Sequence, residues 1–154
     1  MRSSCFTTSP RMIAGLLAGL LFAILVVPLV AQSGDKSSSY YDVTQEITLN
    51  GTVSAVITKP APGMTWGPHL LLTTVSGKVD VSLGRWAFEG KGALSVTVGQ
   101  QVEMTGVMKT LNEKEVFLAR TVKVNGKVYT MRNEHGIPVS PLARERAAEK
   151  GESL

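Results

Sequence analysis

Apolar and polar residues alternate in six short runs between residues 46 and 131. This period of two is typical of β-strands with one buried face. The first run contains Gly51 at one of its apolar positions, which predicts a bulge or a sharp bend there. Asn125 and Gly126 separate the last two runs and predict a hairpin, because both central residues of that turn need a positive φ. The predicted strands are Glu46–Ile57, His69–Val75, Lys78–Leu83, Gln101–Thr110, Glu115–Val124 and Lys127–Met131.

The segment 84–99 interrupts this alternation between the third and fourth strands. Its apolar residues Trp86, Phe88 and Leu94 are predicted to pack as a short helical or 3₁₀ plug. Three strands, a plug and two or three further strands predict an all-β fold, a small five- to six-stranded barrel of OB type. A β-sandwich is the alternative. The barrel is favoured because closure leaves no exposed sheet edges.

A different pattern occupies the start of the chain. Met12–Ala31 is an uncharged apolar run preceded by Arg2 and Arg11. These features predict a secretory signal peptide cleaved near Ala31 or Ser33. The run is also long enough to span a bilayer, so a retained N-terminal anchor is the alternative. In both cases the rest of the chain is predicted to be exported. It would be periplasmic or secreted after cleavage, or anchored in the inner membrane and facing the periplasm.

These patterns divide the chain into four parts. Residues 1–31 are the signal peptide or membrane anchor, and residues 12–31 would be the only membrane contact if uncleaved. Residues 32–39 are Ser-rich and predict a flexible linker. Residues 40–139 form the predicted OB-like barrel domain. Residues 140–154 are charged and Ala-rich without an apolar face, which predicts a polar, disordered tail that follows the barrel.

Charge and cysteine content exclude several function classes. The formal net charge is +4, and because Arg2 and Arg11 precede the apolar run, only +2 remains on the exported part. This small charge argues against a nucleic-acid partner. Cys5 also precedes the run, so the exported part can form no disulfide, no CxxC redox pair and no c-type haem attachment.

Catalytic motifs are absent from the sequence. There is no GxSxG elbow, no HExxH helix, no P-loop and no cysteine nucleophile in the exported part. We therefore expect a protein that is not an enzyme and that needs no cofactor.

The candidate binding residues lie on two segments, the Met64–His69 loop and Gly84–Gly92. Trp66 lies in a Pro- and Gly-rich loop, a poor place to bury an indole, and amphipathic aromatics favour interfaces. Trp86, together with Phe88, is more often found plugging a barrel end. The predicted ligand- or partner-binding residues are Trp66, His69, Arg85 and Trp86, and the predicted partner is another envelope protein or a small solute.

The two histidines suggest a second, metal-binding hypothesis. His69 begins a strand, and His135 follows Glu134 in a polar turn. The three side chains could hold a metal ion if they converge, although neither histidine shows ligand spacing. The alternative is a strand-end histidine and a surface-turn histidine.

Methionines and cations have ordinary structural interpretations. Met104 and Met108 share strand parity with Val102, which predicts that both fill the core rather than capture a soft metal. The cations of the last strands are interspersed with glutamates, which predicts a solvated face of mixed charge. These cations are Lys109, Lys114, Arg120, Lys123, Lys127 and Arg132.

Four segments together resemble the MamS/MamX magnetosome protein family and, more remotely, the bacterial periplasmic OB-fold proteins. The resemblance extends over about residues 45–139. Its motifs are mainly structural glycines within alternating strands. A proline often follows the Leu-Gly pair in the family, and here Arg85 stands in its place, followed by Trp86. The four segments are Leu49–Val53, Val81–Gly84, Gly99–Gly106 and Thr130–Val139.

The resemblance implies an exported, non-enzymatic accessory or binding domain. MamX-type proteins carry CxxCH haem sites, and this sequence has none, so a redox function does not carry over. We expect an exported binding domain, with a metal- or iron-handling accessory protein as the alternative. A nucleic-acid-binding OB domain is the least favoured hypothesis.

Overall fold

A computed structural model describes residues 40–152 of the chain. All six strands predicted from apolar alternation are present, and their bounds differ from the prediction by no more than one residue. The predicted signal peptide or anchor (1–31) and linker (32–39) lie outside the described residues. The elements are a 3₁₀ turn at Val43–Gln45, β1 (Ile47–Ile57), β2 (His69–Thr74), β3 (Gly77–Ser82), β4 (Gln101–Leu111), β5 (Lys114–Val124), β6 (Lys127–Thr130) and α1 (Pro141–Lys150).

The six strands form one sheet in the order β3-β2-β1-β4-β5-β6, with antiparallel neighbours. A parallel pairing of Val81 with Phe117 and Ser82 with Leu118 joins β3 to β5. This pairing closes five strands into a barrel, and β6 extends the sheet beyond β5. The fold is therefore all-β, a closed five-stranded barrel with one additional strand. It is compatible with the predicted OB type and is not the alternative sandwich.

Strand β1 serves both halves of the barrel. Its first half pairs with β4, and its second half pairs with β2. Gly51 lies near this changeover, and a Cβ there would come within 3.0 Å of the Thr73 carbonyl oxygen. The register against β2 shifts between Val53 and Ala55. The predicted irregularity in this strand is thus present, and it falls just after the glycine.

The core is built from the inward-facing residues of all six strands, including Leu70, Val81, Met104 and Phe117, each fully buried. Burial of these apolar side chains is the main favourable term in folding. Outward positions between them, such as Glu103, are exposed.

The prediction that Met108 fills the core is wrong. Met108 is 37% exposed, whereas Met104 is fully buried as predicted. Met108 keeps the parity of Met104 and pairs with Phe117, but the main core includes only Val102 and Met104 from this strand. Val107 faces the opposite side of the sheet, where it is buried in a second cluster with Tyr41, Val116 and Leu118. The register irregularity between β4 and β5 leaves its extra residue, Arg120, on β5. A Cβ on Gly106 would lie 2.1 Å from the Leu118 carbonyl oxygen, so only glycine allows the two strands to pack this closely.

The segment between β3 and β4 is a series of turns rather than the predicted helical or 3₁₀ plug. Leu94 is nevertheless buried, and its N–H donates to the carbonyl oxygen of Ala87 at 2.7 Å. Phe88 packs against the same core. Trp86 is only half-buried and does not plug the barrel.

The C-terminal segment is helical between residues 141 and 150, which differs from the predicted disordered tail. The Ser140 hydroxyl caps α1 by accepting from the Ala143 N–H, and Gly151 ends the helix in a left-handed conformation. The Arg144 side chain donates to the carbonyl oxygens of Trp86 and Glu89. These contacts are polar, so a search for an apolar helix face does not detect them.

Within residues 40–152, no helix combines the length and the apolar character needed to cross a bilayer.

Candidate functional site

The two predicted binding segments meet at one end of the barrel and line a cavity of about 580 Å³. Cavities of this size are typical of small-molecule sites. The loop after β1 contributes Trp66, and the segment after β3 contributes Arg85 and Trp86. Two walls come from regions that the sequence analysis did not connect with a site: Arg132 and the turn that follows it, and Leu111 at the end of β4.

Close glycine contacts bring the two loops together. Gly67 has φ +99°, and a Cβ there would lie 2.8 Å from the carbonyl carbon of Gly84. Gly84 has φ +86°, and its Cβ would meet Pro138 at 3.2 Å and the guanidinium carbon of Arg132 at 3.5 Å. Positive φ and tight approach both require glycine at these positions. The cavity is therefore assembled where three chain segments touch through positions without side chains.

The third wall is a turn held by one asparagine. The Asn133 side-chain oxygen accepts from the backbone N–H groups of His135 and Ile137, at 3.1 and 3.0 Å. Such local side-chain acceptors stabilise turns. A bridge between Arg132 and Pro138 closes the turn. Ile137 and Pro138 are thereby placed on the cavity wall.

Both tryptophans of the chain line the cavity. Trp66 is 90% exposed, in agreement with its predicted position on the surface of a loop. The Arg85 guanidinium carbon lies 5.5 Å from the ring centre of Trp86, which is a cation–π distance. Three of the four predicted binding residues, Trp66, Arg85 and Trp86, are thus brought together at one site.

Arg132 lies at the buried side of this cavity and is only 3% exposed. Its Nη1 donates to the carbonyl oxygens of Ser82 and Ala119, both at 2.7 Å, and its Nη2 donates to the Ser82 hydroxyl at 2.9 Å. Among residues 40–152, no carboxylate forms an ion pair with it. Burial lowers the pKa of Arg132 to about 10. The group still carries its charge at neutral pH.

The prediction that all six cations of the last strands form a solvated face is therefore wrong for Arg132. It is also wrong in part for Arg120, which binds Glu46 through Nε and, at 2.8 Å, through Nη2. It fits Lys123, whose exposed ammonium lies 3.5 Å from Glu103. Strand β6 ends at Thr130. The alternation of its residues therefore does not predict whether the Arg132 side chain is buried or exposed.

His69 stands beside the cavity rather than on its wall. Its ring is fully buried, with Nδ1 donating to the Asp80 carboxylate at 2.6 Å. Nε2 lies 3.1 Å from the Thr65 hydroxyl and 3.0 Å from the Thr65 carbonyl oxygen. Both ring nitrogens are thus occupied by protein groups. His69 ties the Trp66 loop to β3 and positions it.

The proposed metal ligands do not converge. His135 and Glu134 form an exposed pair with 3.5 Å between Nε2 and Oε1, whereas His69 is engaged with Asp80 and Thr65. In the part of the chain that the structure describes, no three His, Cys, Asp or Glu side chains are grouped in a way that could hold a metal ion.

A second depression, of about 490 Å³, lies along the middle of β1, the end of β2, the start of β4 and the end of β5. Asn50, Thr73 and Gln101 are among the residues that line it, together with Glu103 and Lys123. It contains no aromatic side chain, and it is lined by both an acidic and a basic residue. The first cavity differs from it by its aromatic walls and by having two arginines and no acidic residue.

Fold and site define a small closed β-barrel domain with an aromatic cavity at one end. The sequence model of the MamS/MamX magnetosome protein family matches residues 45–129, which is more than half of the chain. The chain belongs to this family. No curated protein matches it. The matched region contains the five barrel strands, and the Arg132 turn follows it.

Proposed function

We propose that this chain is an exported, non-enzymatic binding or accessory domain whose ligand is a small solute held in the barrel-end cavity. The observation that carries the proposal is the convergence of Trp66, Arg85 and Trp86 on one cavity of about 580 Å³. Mostly apolar and aromatic walls with a few polar groups are the usual composition of a binding site for small molecules.

The glycine contacts support a preformed site. Gly67 and Gly84 let two loops touch, and His69 fixes the Trp66 loop through both ring nitrogens. A site that is already ordered loses little conformational entropy when a ligand binds. Residues that hold loops in place are therefore part of the binding function even though they do not face the ligand.

Binding can be tested with the neutral apolar dye Nile red. We expect the purified full-length protein to increase the dye's emission, and Trp66→Ala to weaken binding about fivefold or more, because an aromatic contact of this kind contributes about 1–3 kcal/mol. Val75→Ala is the matched control, since Val75 is a fully exposed apolar residue in the turn between β2 and β3, outside this cavity. Equal affinity in all three proteins would contradict binding at the cavity.

Export has a separate test. The proposal rests on the Met12–Ala31 run and its positive flank. We expect the protein recovered from cell envelopes either to begin at Gln32 or Gly34, after cleavage, or to retain Met1 and fractionate with the inner membrane. An intact protein confined to the cytoplasmic fraction would contradict export.

A further inference from the structure

The cavity holds an uncompensated positive charge at its buried side. Arg132 and Arg85 line it, and none of its lining residues is an aspartate or a glutamate. Arg132 is 3% exposed and has no carboxylate partner among residues 40–152. Taking a cation out of water without an anion is unfavourable. An anion that enters the cavity would remove this unfavourable term.

The hydrogen bonds of Arg132 leave part of its guanidinium available. The group has five N–H donors. Nη1 uses both of its N–H groups on the carbonyl oxygens of Ser82 and Ala119, and Nη2 uses one on the Ser82 hydroxyl. One N–H of Nη2 and the N–H of Nε have no acceptor among the residues that the structure describes. A carboxylate or phosphate engages arginine through two such parallel donors.

We propose that the cavity is selective for a soluble anion, a carboxylate or phosphate carried on an apolar or aromatic body, with Arg132 as the receptor for the charged group. Trp66 and Trp86 contact the body of this ligand, and Arg85 attracts it at the rim. This inference rests on the proposed function, because it names the class of solute that the cavity binds.

A soluble ligand fits this geometry better than a lipid in a bilayer. The charge receptor Arg132 is only 3% exposed, whereas Trp66 on the same cavity is 90% exposed. A headgroup fixed in a membrane plane reaches a buried guanidinium less readily than a free amphiphile does.

The decisive comparison uses two ligands of equal shape, 2-naphthoate and the neutral 2-naphthamide, titrated against the full-length protein by tryptophan fluorescence. Both tryptophans line the cavity, so the signal reports its occupancy. We expect naphthoate to bind at least about tenfold more tightly, since charge-assisted hydrogen bonds are the stronger kind. Equal affinities would overturn anion selectivity and leave the cavity as a binding site. Failure of both ligands and of Nile red to bind would overturn the proposed function itself.

Variants then assign the selectivity to Arg132. Arg132→Gln should abolish the preference for naphthoate, and Arg132→Lys should retain part of it, because a lysine keeps the charge but loses the planar fork. Lys78→Gln is the matched control, since it removes one exposed positive charge from β3 outside the cavity. Persistence of the full preference in a folded Arg132→Gln protein would refute the assignment, as would an equal loss of preference in Lys78→Gln.

The source of the anion is decided by a vesicle experiment. Phosphatidylglycerol vesicles and phosphatidylcholine vesicles are added separately to the full-length protein with bound naphthoate. We expect neither kind of vesicle to displace naphthoate. Competition by phosphatidylglycerol vesicles alone would overturn the soluble-ligand proposal in favour of a lipid headgroup.

Discussion

The Nη2 of Arg144 donates a hydrogen bond to the carbonyl oxygen of Trp86 at 3.1 Å, which attaches the C-terminal helix to the wall of the cavity. The same nitrogen donates to the carbonyl oxygen of Glu89, and Pro141 packs against Gly90. Helix α1 therefore supports the segment that carries Trp86, although it contributes almost no apolar surface.

The first prediction concerns this attachment. Arg144→Ala removes the donors for two carbonyl groups, and we expect it to lower the free energy of unfolding by about 1–3 kcal/mol. Urea unfolding followed by tryptophan emission measures the change. Arg146→Ala, an exposed residue of the same helix, should have almost no effect. Similar losses in both variants would mean that the helix acts through its overall charge and not through this contact.

A second prediction concerns pH. Arg120 donates to both oxygens of the Glu46 carboxylate, and Tyr41 donates to it at 2.7 Å. These hydrogen bonds, that of Arg120 above all, hold the pKa of Glu46 below its ordinary value of 4.5. A carboxylate with a lowered pKa stabilises the fold fully above its ordinary value, and this contribution is lost as the pH falls through the folded-state pKa. Stability should therefore fall when the pH drops below about 4.5.

The Glu46→Gln variant tests this dependence. It should be less stable than the wild type by about 1–3 kcal/mol at neutral pH, and the difference should shrink in acid. Thermal unfolding across pH 3 to 7 gives both values. Glu103→Gln removes a carboxylate from an exposed ion pair and should leave the profile unchanged. A constant difference between Glu46→Gln and wild type over this range would be inconsistent with the assignment.

A third prediction separates steric from conformational roles of glycine. Gly106→Ala would place a Cβ 2.1 Å from the Leu118 carbonyl oxygen, so β4 and β5 could not keep their spacing. We expect a loss above about 3 kcal/mol or a failure to fold. Gly99→Ala meets nothing within 4 Å but has φ +89°, and it should lose only about 1 kcal/mol. Chemical denaturation measures the free energy of unfolding of both variants. A small loss of stability in Gly106→Ala would show that the two strands can move apart at this position.

A fourth prediction concerns the Trp66 loop. His69→Phe keeps the buried volume but removes the contacts with Asp80 and Thr65, so amide hydrogen exchange in residues 58–68 should become faster than elsewhere in the barrel. Leu72→Ala, a core change on the same strand, should accelerate exchange throughout the barrel instead. If His69→Phe produced only a uniform acceleration, His69 would be an ordinary core residue.

Alternation of apolar residues was enough to locate the strands, because most strands of this barrel place alternate side chains in the core. It failed at Met108, which has the parity of Met104 but lies beyond the part of β4 that the core covers. It also did not predict that Val107 and Leu118 are buried on the opposite face, in a second cluster with Tyr41. Nothing in the local sequence distinguishes a glycine that close strand packing requires from one that only relaxes a turn. The close contact with Leu118 arises from a strand that follows later in the chain.

The candidate site, too, could be predicted from the sequence only in part. Trp66, Arg85 and Trp86 could be predicted because Pro- and Gly-rich segments place aromatic side chains on loops. Arg132 could not, because its burial depends on Ser82 and Ala119, which pair with it only after the barrel has closed. A sequence pattern identifies which residues are apolar, and it gives no information about which cation the tertiary fold covers.

The position of Arg132 has a mechanical consequence. Its guanidinium bonds one carbonyl group from each side of the β3–β5 junction, the only parallel pairing among the described strands. That junction is the seam at which the sheet becomes a cylinder. The guanidinium that faces the cavity therefore also holds β3 against β5. Binding of an anion to this group, or loss of its charge, would act on the hydrogen bonds that keep the barrel closed.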